Sequence, residues 1–507
     1  MSRFLTELHK HRPHAVAMQG AASVMAAYTG TASGLSDEQA RISLSIGPRV
    51  IALALSKIER TGQPYVAPQR FLELCSGYLN DYEPQLSSAR IEQDARELHR
   101  ALQASDFPKK YLDLDQLKQV CGIPTFMARI VASQSKDHRS NLNTVLRAWL
   151  LLNDINLQSS GALGRRSTTV FGLSLIELFR AGLGAFAQAI SHDGMVSFAQ
   201  PVGPAVEDLW GMSAQHFDWF LSKIAVHEFE FASWFEQHVI PLPLHLQRYC
   251  DDPFSQTPLV RLKTDAGEKV LMPAPSEFAS TFVRQISQTL ALSVPTADPE
   301  PKNLSSALGM QLHLHVGEVL RKCFGSRLAV IPDGPTRRTD FRITLDDADV
   351  VIEMKSSSNP QHVRSLLSPV GLSSVFVELH KAALQLAATA SDIPPHPKRA
   401  LVPIIVVGEG TAAEAMPFLQ FSASAGLLRD LNLTNLEVIS WPDFEVILSR
   451  MSLRSFSQAM RDRRREPDRL LKHPLMRSMK QPRVPADKSM HRFEHFASAD
   501  IDLSGGL

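Results

Sequence analysis

The sequence predicts a mixed fold, in which a mainly α-helical N-terminal region precedes an α/β domain with a mixed central sheet flanked by helices. Apolar residues recur at helical spacing from Ala15 to about Ile240. After about residue 300, short runs of β-forming residues alternate with helical segments. The chain of 507 residues is long enough for two to four domains, each with its own core.

The N-terminal region, residues 1–300, contains the helical segments. LNTVLRAWLLLNDI and LSLIELFRAGLGAFAQAI both place apolar residues at i, i+3, i+4 and i+7. Between Pro258 and Pro275 the period changes, and LVRLKTDAGEKVLMP predicts a β-hairpin. SVPTADPEPKN, residues 293–303, is rich in Pro and polar residues and predicts a linker, so the main boundary is placed near residue 300.

The second domain, residues 301–457, is predicted to follow the order α-β-β-β-α-β-α-β. A helix ends at Gly325, and three short strands follow, the second over 340–345 and the third over 350–356. A helix over about 372–389 precedes LVPIIVV, whose continuous apolar character is typical of a strand covered on both faces.

Composition excludes few classes of function. The net charge is +1, so a site for a charged ligand would have to be local. The four cysteines are far apart and lack zinc spacing, which indicates reduced thiols. No secretory signal and no membrane-spanning run is expected, so the prediction is a cytoplasmic protein.

The C-terminal residues 458–507 are predicted to form a basic, mostly disordered tail. Between Arg461 and Arg492 there are 11 Lys/Arg and 4 Asp/Glu, with several prolines. Such a tail can hold a nucleic-acid backbone without sequence preference, and Arg463, Arg464 and Arg465 are its candidate contacts.

Two opposite charges end the third predicted strand of the second domain. Val350, Val351 and Ile352 lead directly into Glu353 and Lys355. Because side chains alternate along a strand, Glu353 and Lys355 share a face. If this strand pairs with the preceding one through the DDAD turn, Asp340 meets them near the open end of the hairpin.

Two carboxylates and an ammonium group suit phosphodiester hydrolysis. Asp340 and Glu353 are candidate ligands of Mg²⁺ (or Mn²⁺), which prefers hard oxygen ligands and keeps several waters. A bound metal ion polarises the scissile phosphate and lowers the pKa of a bound water. Lys355 would orient that water or offset charge developing on phosphorus.

The order Asp340, then Glu353-x-Lys355, on consecutive strands after one helix and before another resembles the PD-(D/E)xK, or restriction-endonuclease-like, superfamily. The resemblance covers roughly residues 304–450 and implies a metal-dependent nuclease fold. Some members add a metal-supporting glutamate from the opening helix, and Glu318 is the matching residue. His313 and His315, on the same predicted helix, do not share a face and are interpreted as ordinary polar positions.

Three further residues remain open. Asp333, in a literal Pro-Asp pair, is an alternative first acid, although strand placement favours Asp340. Lys381 and Gln385 lie four apart on the helix after the Glu-x-Lys strand. The resemblance implies that polar residues there face the site, so both are candidate nucleic-acid contacts. A solvated helix face is the alternative.

The predicted function is therefore metal-dependent endonucleolytic cleavage of DNA, with RNA as an alternative substrate. By analogy, such a nuclease is expected to act in defence against phage or other foreign DNA, with its activity controlled by a homo-oligomer or a partner protein. One rival is a non-catalytic nucleic-acid-binding or scaffold protein that keeps the fold. The other is a helical interaction protein whose sheet is merely structural.

Overall fold

The chain divides into two compact units, and within the described residues the division falls between Leu304 and Ser305. The predicted linker and the predicted basic tail lie outside the residues that the structure describes. The computed structural model describes residues 3–31, 35–56, 61–82, 142–196, 213–238, 254, 257–265, 267–292, 304–332, 338–355, 369–394, 396, 399–408, 431, 433 and 436–450.

The described part of the N-terminal unit is mainly helical, as predicted. Its helices are α1 (Arg3–Leu8), α2 (Pro13–Thr29), α3 (Asp37–Leu55), α4 (Pro68–Tyr82), α5 (Leu142–Gln158), α6 (Ala162–Phe171), α7 (Leu175–Ser191), α8 (Ala214–Ile224), α9 (Glu228–His238) and α10 (Pro275–Leu292). Its strands are β1 (Met195–Val196), β2 (Ala225–His227), β3 (Leu259–Thr264) and β4 (Gly267–Leu271).

Local sequence fixes several helix ends. Ser36 and Ser174 each form a capping box at the start of α3 and α7, in which the serine hydroxyl accepts the backbone N–H of the residue three positions later. α2 ends at Gly30, whose φ of 71° lies in the left-handed region that favours glycine. These signals explain why the helices begin and end where they do.

Small residues let α2 and α3 approach closely. A Cβ atom on Gly20 would lie 2.6 Å from Ile51 Cγ1 and 2.8 Å from the ring of Phe71. A Cβ atom on Gly47 would lie 2.5 Å from Val24 Cγ2. Because interiors are close-packed, both positions exclude any larger side chain without local movement.

The predicted hairpin is β3 and β4, which pair antiparallel from Thr264 and Gly267 outward. In the described part of this unit they belong to a sheet with the order β1-β4-β3-β2. β1 and β2 fall inside the stretch predicted to be helical as far as residue 240, so that prediction was incomplete. The two strands have two and three residues, which is too short for an alternating pattern.

The C-terminal unit has the mixed α/β architecture that the sequence predicts. Its described elements are α11 (Leu304–Phe324), a short 3₁₀ turn (Gly325–Arg327), β5 (Leu328–Val330), β6 (Phe341–Thr344), β7 (Ala348–Lys355), α12 (Pro369–Ser391), β8 (Ala400–Val407), β9 (Glu437–Ser440) and α13 (Trp441–Arg450).

These strands form one sheet in the order β5-β6-β7-β8-β9. β5, β6 and β7 pair antiparallel as consecutive hairpins, whereas β7, β8 and β9 pair parallel. All residues of β7 except the last, Lys355, are buried. The parallel, doubly covered centre of the sheet therefore requires apolar β7 and β8. The sequence supplies them except at the carboxyl end of β7 and at Asp349 near its start, a buried carboxylate that accepts from Arg342 Nη2 at 2.8 Å.

Within the described residues, no single helix is long and apolar enough to cross a membrane. α6 and α7 reach the required length and composition only as a pair, which is bent by 53° at the break between them.

Candidate active site

The β6–β7 hairpin brings the predicted acids together. Phe341 pairs with Ile352, so Asp340, the residue before β6, lies beside the carboxyl end of β7, which carries Glu353. The backbone N–H of Met354 donates to Asp340 Oδ2 at 2.6 Å. This hydrogen bond fixes the Asp340 carboxylate against β7, as the predicted register requires.

Lys355 joins the pair from the last position of β7. Its Nζ donates to Glu353 Oε1 at 2.7 Å and to Gln385 Oε1, on α12, at 2.8 Å. The Gln385 amide nitrogen in turn donates to the backbone carbonyl of Arg338 at 3.2 Å. Lys355 is therefore oriented by a carboxylate on one side and by an amide on the other.

Glu353 is the most perturbed group of the site. It is 2% exposed, and burial, followed by the nearby charge of Asp340, raises its pKa to about 7. Lys355 opposes that rise. Glu353 Oε2 is buried, and no described residue offers it a hydrogen bond. Since a buried acceptor without a partner is costly, this oxygen is suited to a ligand that supplies positive charge.

α11 adds a residue that the sequence analysis did not assign to the site. The Nε2 atom of His313 lies 3.2 Å from Asp340 Oδ1, and its ring stacks on Phe341 with centroids 4.8 Å apart. Gly317, one turn later, faces the same ring, since a Cβ there would lie 3.2 Å from Phe341 Cε1. A small residue four positions after a histidine was the sequence signal for this close helix–strand contact.

The interpretation of both histidines as ordinary polar positions was therefore incomplete. His313 faces Asp340, while His315 faces another way, with Nε2 3.8 Å from Glu445 Oε1 of α13. The prediction that the two do not share a face agrees with these contacts.

Glu318 does not join the pair in this structure. It lies on α11 five residues after His313, which corresponds to about 140° around the helix, and it is exposed. α11 thus presents His313 to Asp340 and presents Glu318 elsewhere. An accessory metal role for Glu318 stays a prediction without support from its position.

The remaining predicted residues differ in their placement. Gln385 contacts Lys355, whereas Lys381 is exposed and forms an ion pair with Glu378 at 3.0 Å. Asp333, the alternative first acid, lies outside the described residues, as do Arg463, Arg464 and Arg465.

Asp340 and Glu353 could together hold one hard divalent cation. Both provide carboxylate oxygens, and Glu353 Oε2 has no hydrogen-bond partner among the described residues. In the described part of the chain, no group of three or more His, Cys, Asp or Glu side chains is arranged to hold a metal ion. Mg²⁺ matches a two-carboxylate site because it keeps several waters, whereas a structural zinc site needs four protein ligands.

Comparisons of the chain with protein-family models, with curated proteins and with solved structures gave no match. A functional assignment therefore rests on the geometry and electrostatics of this site.

Proposed function

We propose that the chain is a metal-dependent nuclease that hydrolyses DNA phosphodiester bonds with its C-terminal unit. The observation that carries the proposal is the convergence of Asp340, Glu353 and Lys355 at the carboxyl end of β7, with a buried carboxylate oxygen that has no described protein partner. A carboxyl group with a raised pKa beside a lysine, as at Glu353, is typical of a functional site.

The arrangement of elements supports assigning the unit to the restriction-endonuclease-like class. Asp340 immediately precedes the second strand, and Glu353 and Lys355 lie at the carboxyl end of the third. α11 precedes these strands, and α12 with β8 follows them. This is the order in which the resemblance places its acids and its lysine.

Asp340 and Glu353 would hold the metal ion. When bound, Mg²⁺ (or Mn²⁺) supplies polarisation of the phosphate and a more acidic water. The protein must deliver Glu353 in its ionised form, which its raised pKa opposes at neutral pH. Glu353 would therefore release its proton on binding a cation, because a cation favours the charged carboxylate.

Lys355 would act on the reacting groups. A lysine ammonium has three donors, and the described contacts of Lys355 to Glu353 and Gln385 use two. The third can donate to the attacking water or to a phosphate oxygen. Because two partners already hold the ammonium group in place, it needs little reorganisation when charge develops on phosphorus.

The experiment is cleavage of supercoiled and linear DNA in Mg²⁺ or Mn²⁺, with EDTA as the negative control. The full-length wild type is compared with Glu353→Gln, Lys355→Met and the control Asp346→Asn, an exposed residue of the β6–β7 turn. We expect nicking or degradation by the wild type and by the control, and a loss of at least about 100-fold in both site variants.

Two outcomes would contradict the proposal. Site variants that cut as well as the wild type would show that the nuclease site is elsewhere. A wild type that cleaves neither DNA nor RNA, but binds them, would favour the non-catalytic nucleic-acid-binding alternative.

A further inference from the structure

The segment that leads into β6 is attached firmly to α12. The backbone N–H of Thr339 donates to Thr389 Oγ1 at 3.0 Å, and the Thr339 hydroxyl donates to the same atom at 3.2 Å. Gln385 holds the carbonyl of Arg338, and both threonines are buried. The backbone of Arg338 is therefore fixed next to the site, two residues before Asp340.

The side chain of Arg338 is held at the end of α12. It forms an ion pair with Asp392, and the two side chains are 43% and 45% exposed. Exposed pairs of this kind contribute little to stability. An anion that competes for the guanidinium can therefore replace Asp392 at low cost.

Three cations are spaced along the C-terminal half of α12 and the turn that follows it. At 100° per residue, Lys381 and Gln385 lie about 40° apart around the helix axis, and Asp392 is the first residue after the helix, seven residues beyond Gln385. Lys381 stands at one end, Lys355 reaches Gln385 in the middle, and Arg338 reaches Asp392 at the other end. From Gln385 to Asp392 the axial distance is about 10 Å, the length of about three nucleotides in a duplex strand.

We propose that Arg338 binds a backbone phosphate of the DNA substrate about three nucleotides from the scissile bond, and that Asp392 occupies the guanidinium in the substrate-free protein. This inference rests on the proposed nuclease function and names a positioning residue for it. A guanidinium binds phosphate through two parallel hydrogen bonds, as it binds a carboxylate, so a phosphate can replace Asp392 without moving the backbone.

Substitutions of the two partners should act in opposite directions. Each phosphate contact contributes about 0.9 to the magnitude of the slope of log K against log salt concentration. If loss of the contact has no effect on duplex binding at 1 M salt, it therefore weakens binding about eightfold at 0.1 M salt. Arg338→Ala should show that loss and a slope smaller by about 0.9. Asp392→Asn should tighten binding severalfold, because it removes the competing carboxylate.

A matched pair controls for general charge effects. Arg327 and Asp346 form another exposed arginine–aspartate pair, 3.6 Å apart, at the opposite end of β7 from Glu353. Arg327→Ala and Asp346→Asn change the same charges at a distance from the site. We expect each to change DNA affinity by less than about twofold, since exposed charges beyond a Debye length are screened.

The experiment measures fluorescence anisotropy of a labelled 20-base-pair DNA duplex with the full-length protein in EDTA, over a range of salt. Cleavage in Mg²⁺ is followed in parallel, where Arg338→Ala should raise KM and leave kcat within about twofold. The double variant Arg338→Ala/Asp392→Asn should bind no more tightly than Arg338→Ala.

The outcomes separate this inference from the function on which it rests. If the wild type cleaves DNA and Arg338→Ala binds and cleaves like it, the role of Arg338 is refuted and the nuclease stands. Tightening by Asp392→Asn that persists without Arg338 also refutes it, as a general charge effect. A wild type that neither binds nor cleaves DNA overturns both.

Discussion

The burial of Glu353 makes the stability of the C-terminal unit depend on pH, and Glu353→Gln tests this directly. The carboxyl of Glu353 is 2% exposed, and its pKa is raised from the ordinary value of 4.5 to about 7, first by burial and second by Asp340. Between these two values the folded protein keeps a proton that the unfolded chain has lost. Stability therefore falls as pH rises through that window.

The magnitude follows from the width of the window. The two pKa values differ by about 2.5, and each pH unit corresponds to 1.36 kcal/mol, so the wild type loses about 3 kcal/mol between pH 4.5 and pH 7. Glutamine resembles the protonated acid and keeps an oxygen that accepts from Lys355. The difference in free energy of unfolding between the variant and the wild type should thus be about 3 kcal/mol larger above pH 7 than at pH 4.5, in favour of the variant.

Calorimetry of the full chain in EDTA, from pH 4.5 to 8.5, provides the measurement. For a unit of this size, each kcal/mol moves the melting temperature by about 2–4 °C, so the difference between variant and wild type should grow by about 6–12 °C across the window. Glu318→Gln, which neutralises an exposed carboxylate on α11, is the control for the loss of one negative charge. Parallel profiles for Glu353→Gln and the wild type would refute the reasoning, because Glu353 would then titrate near its ordinary value.

Two other predictions concern the cation and the N-terminal core. In a thermal-shift measurement, Mg²⁺ should stabilise the wild type more at pH 8 than at pH 6, because at the lower pH it must displace the proton of Glu353. Mg²⁺ should leave the melting temperature of Glu353→Gln unchanged. Equal stabilisation of the variant would place the cation elsewhere. Gly20→Val should lower the melting temperature of the N-terminal unit by the equivalent of at least about 2 kcal/mol, since a Cβ there meets Ile51 and Phe71. Gly267→Ala, where a Cβ meets open space at φ 107°, measures backbone strain alone for comparison, and equal losses would argue against crowding at Gly20.

Sequence periodicity was sufficient to predict the β6–β7 hairpin and the position of its acidic residues. Period-two alternation placed Glu353 and Lys355 on one face, and the turn between β6 and β7 set the register that brings Asp340 beside them. The resemblance pointed to both Gln385 and Lys381, and of the two Gln385 contacts Lys355, whereas Lys381 forms an ion pair with Glu378.

Tertiary packing decided what the sequence could not. The contact of His313 with Asp340 depends on how α11 lies on β6, and helical spacing alone gave no reason to prefer it over Glu318. The strands β1 and β2 exist because the β3–β4 hairpin offers them hydrogen-bonding edges, a long-range effect on very short segments. In such short segments, pairing with a neighbouring strand overrides the intrinsic secondary-structure propensity of the residues.

The parallel pairing of β7 with β8 implies an order of events in folding. Asp340 and Met354 are 14 residues apart, so the hairpin closes a short loop, whereas Glu353 pairs with Ile405, which is 405 − 353 = 52 residues later. Short-range contacts form at lower entropic cost and generally earlier. On this order Glu353 would still be hydrated when the hairpin forms, and it would lose its water when α12 and β8 pack against β7. We expect that docking step to take up a proton or a cation, so that the folding rate of the unit, and not only its final stability, responds to both.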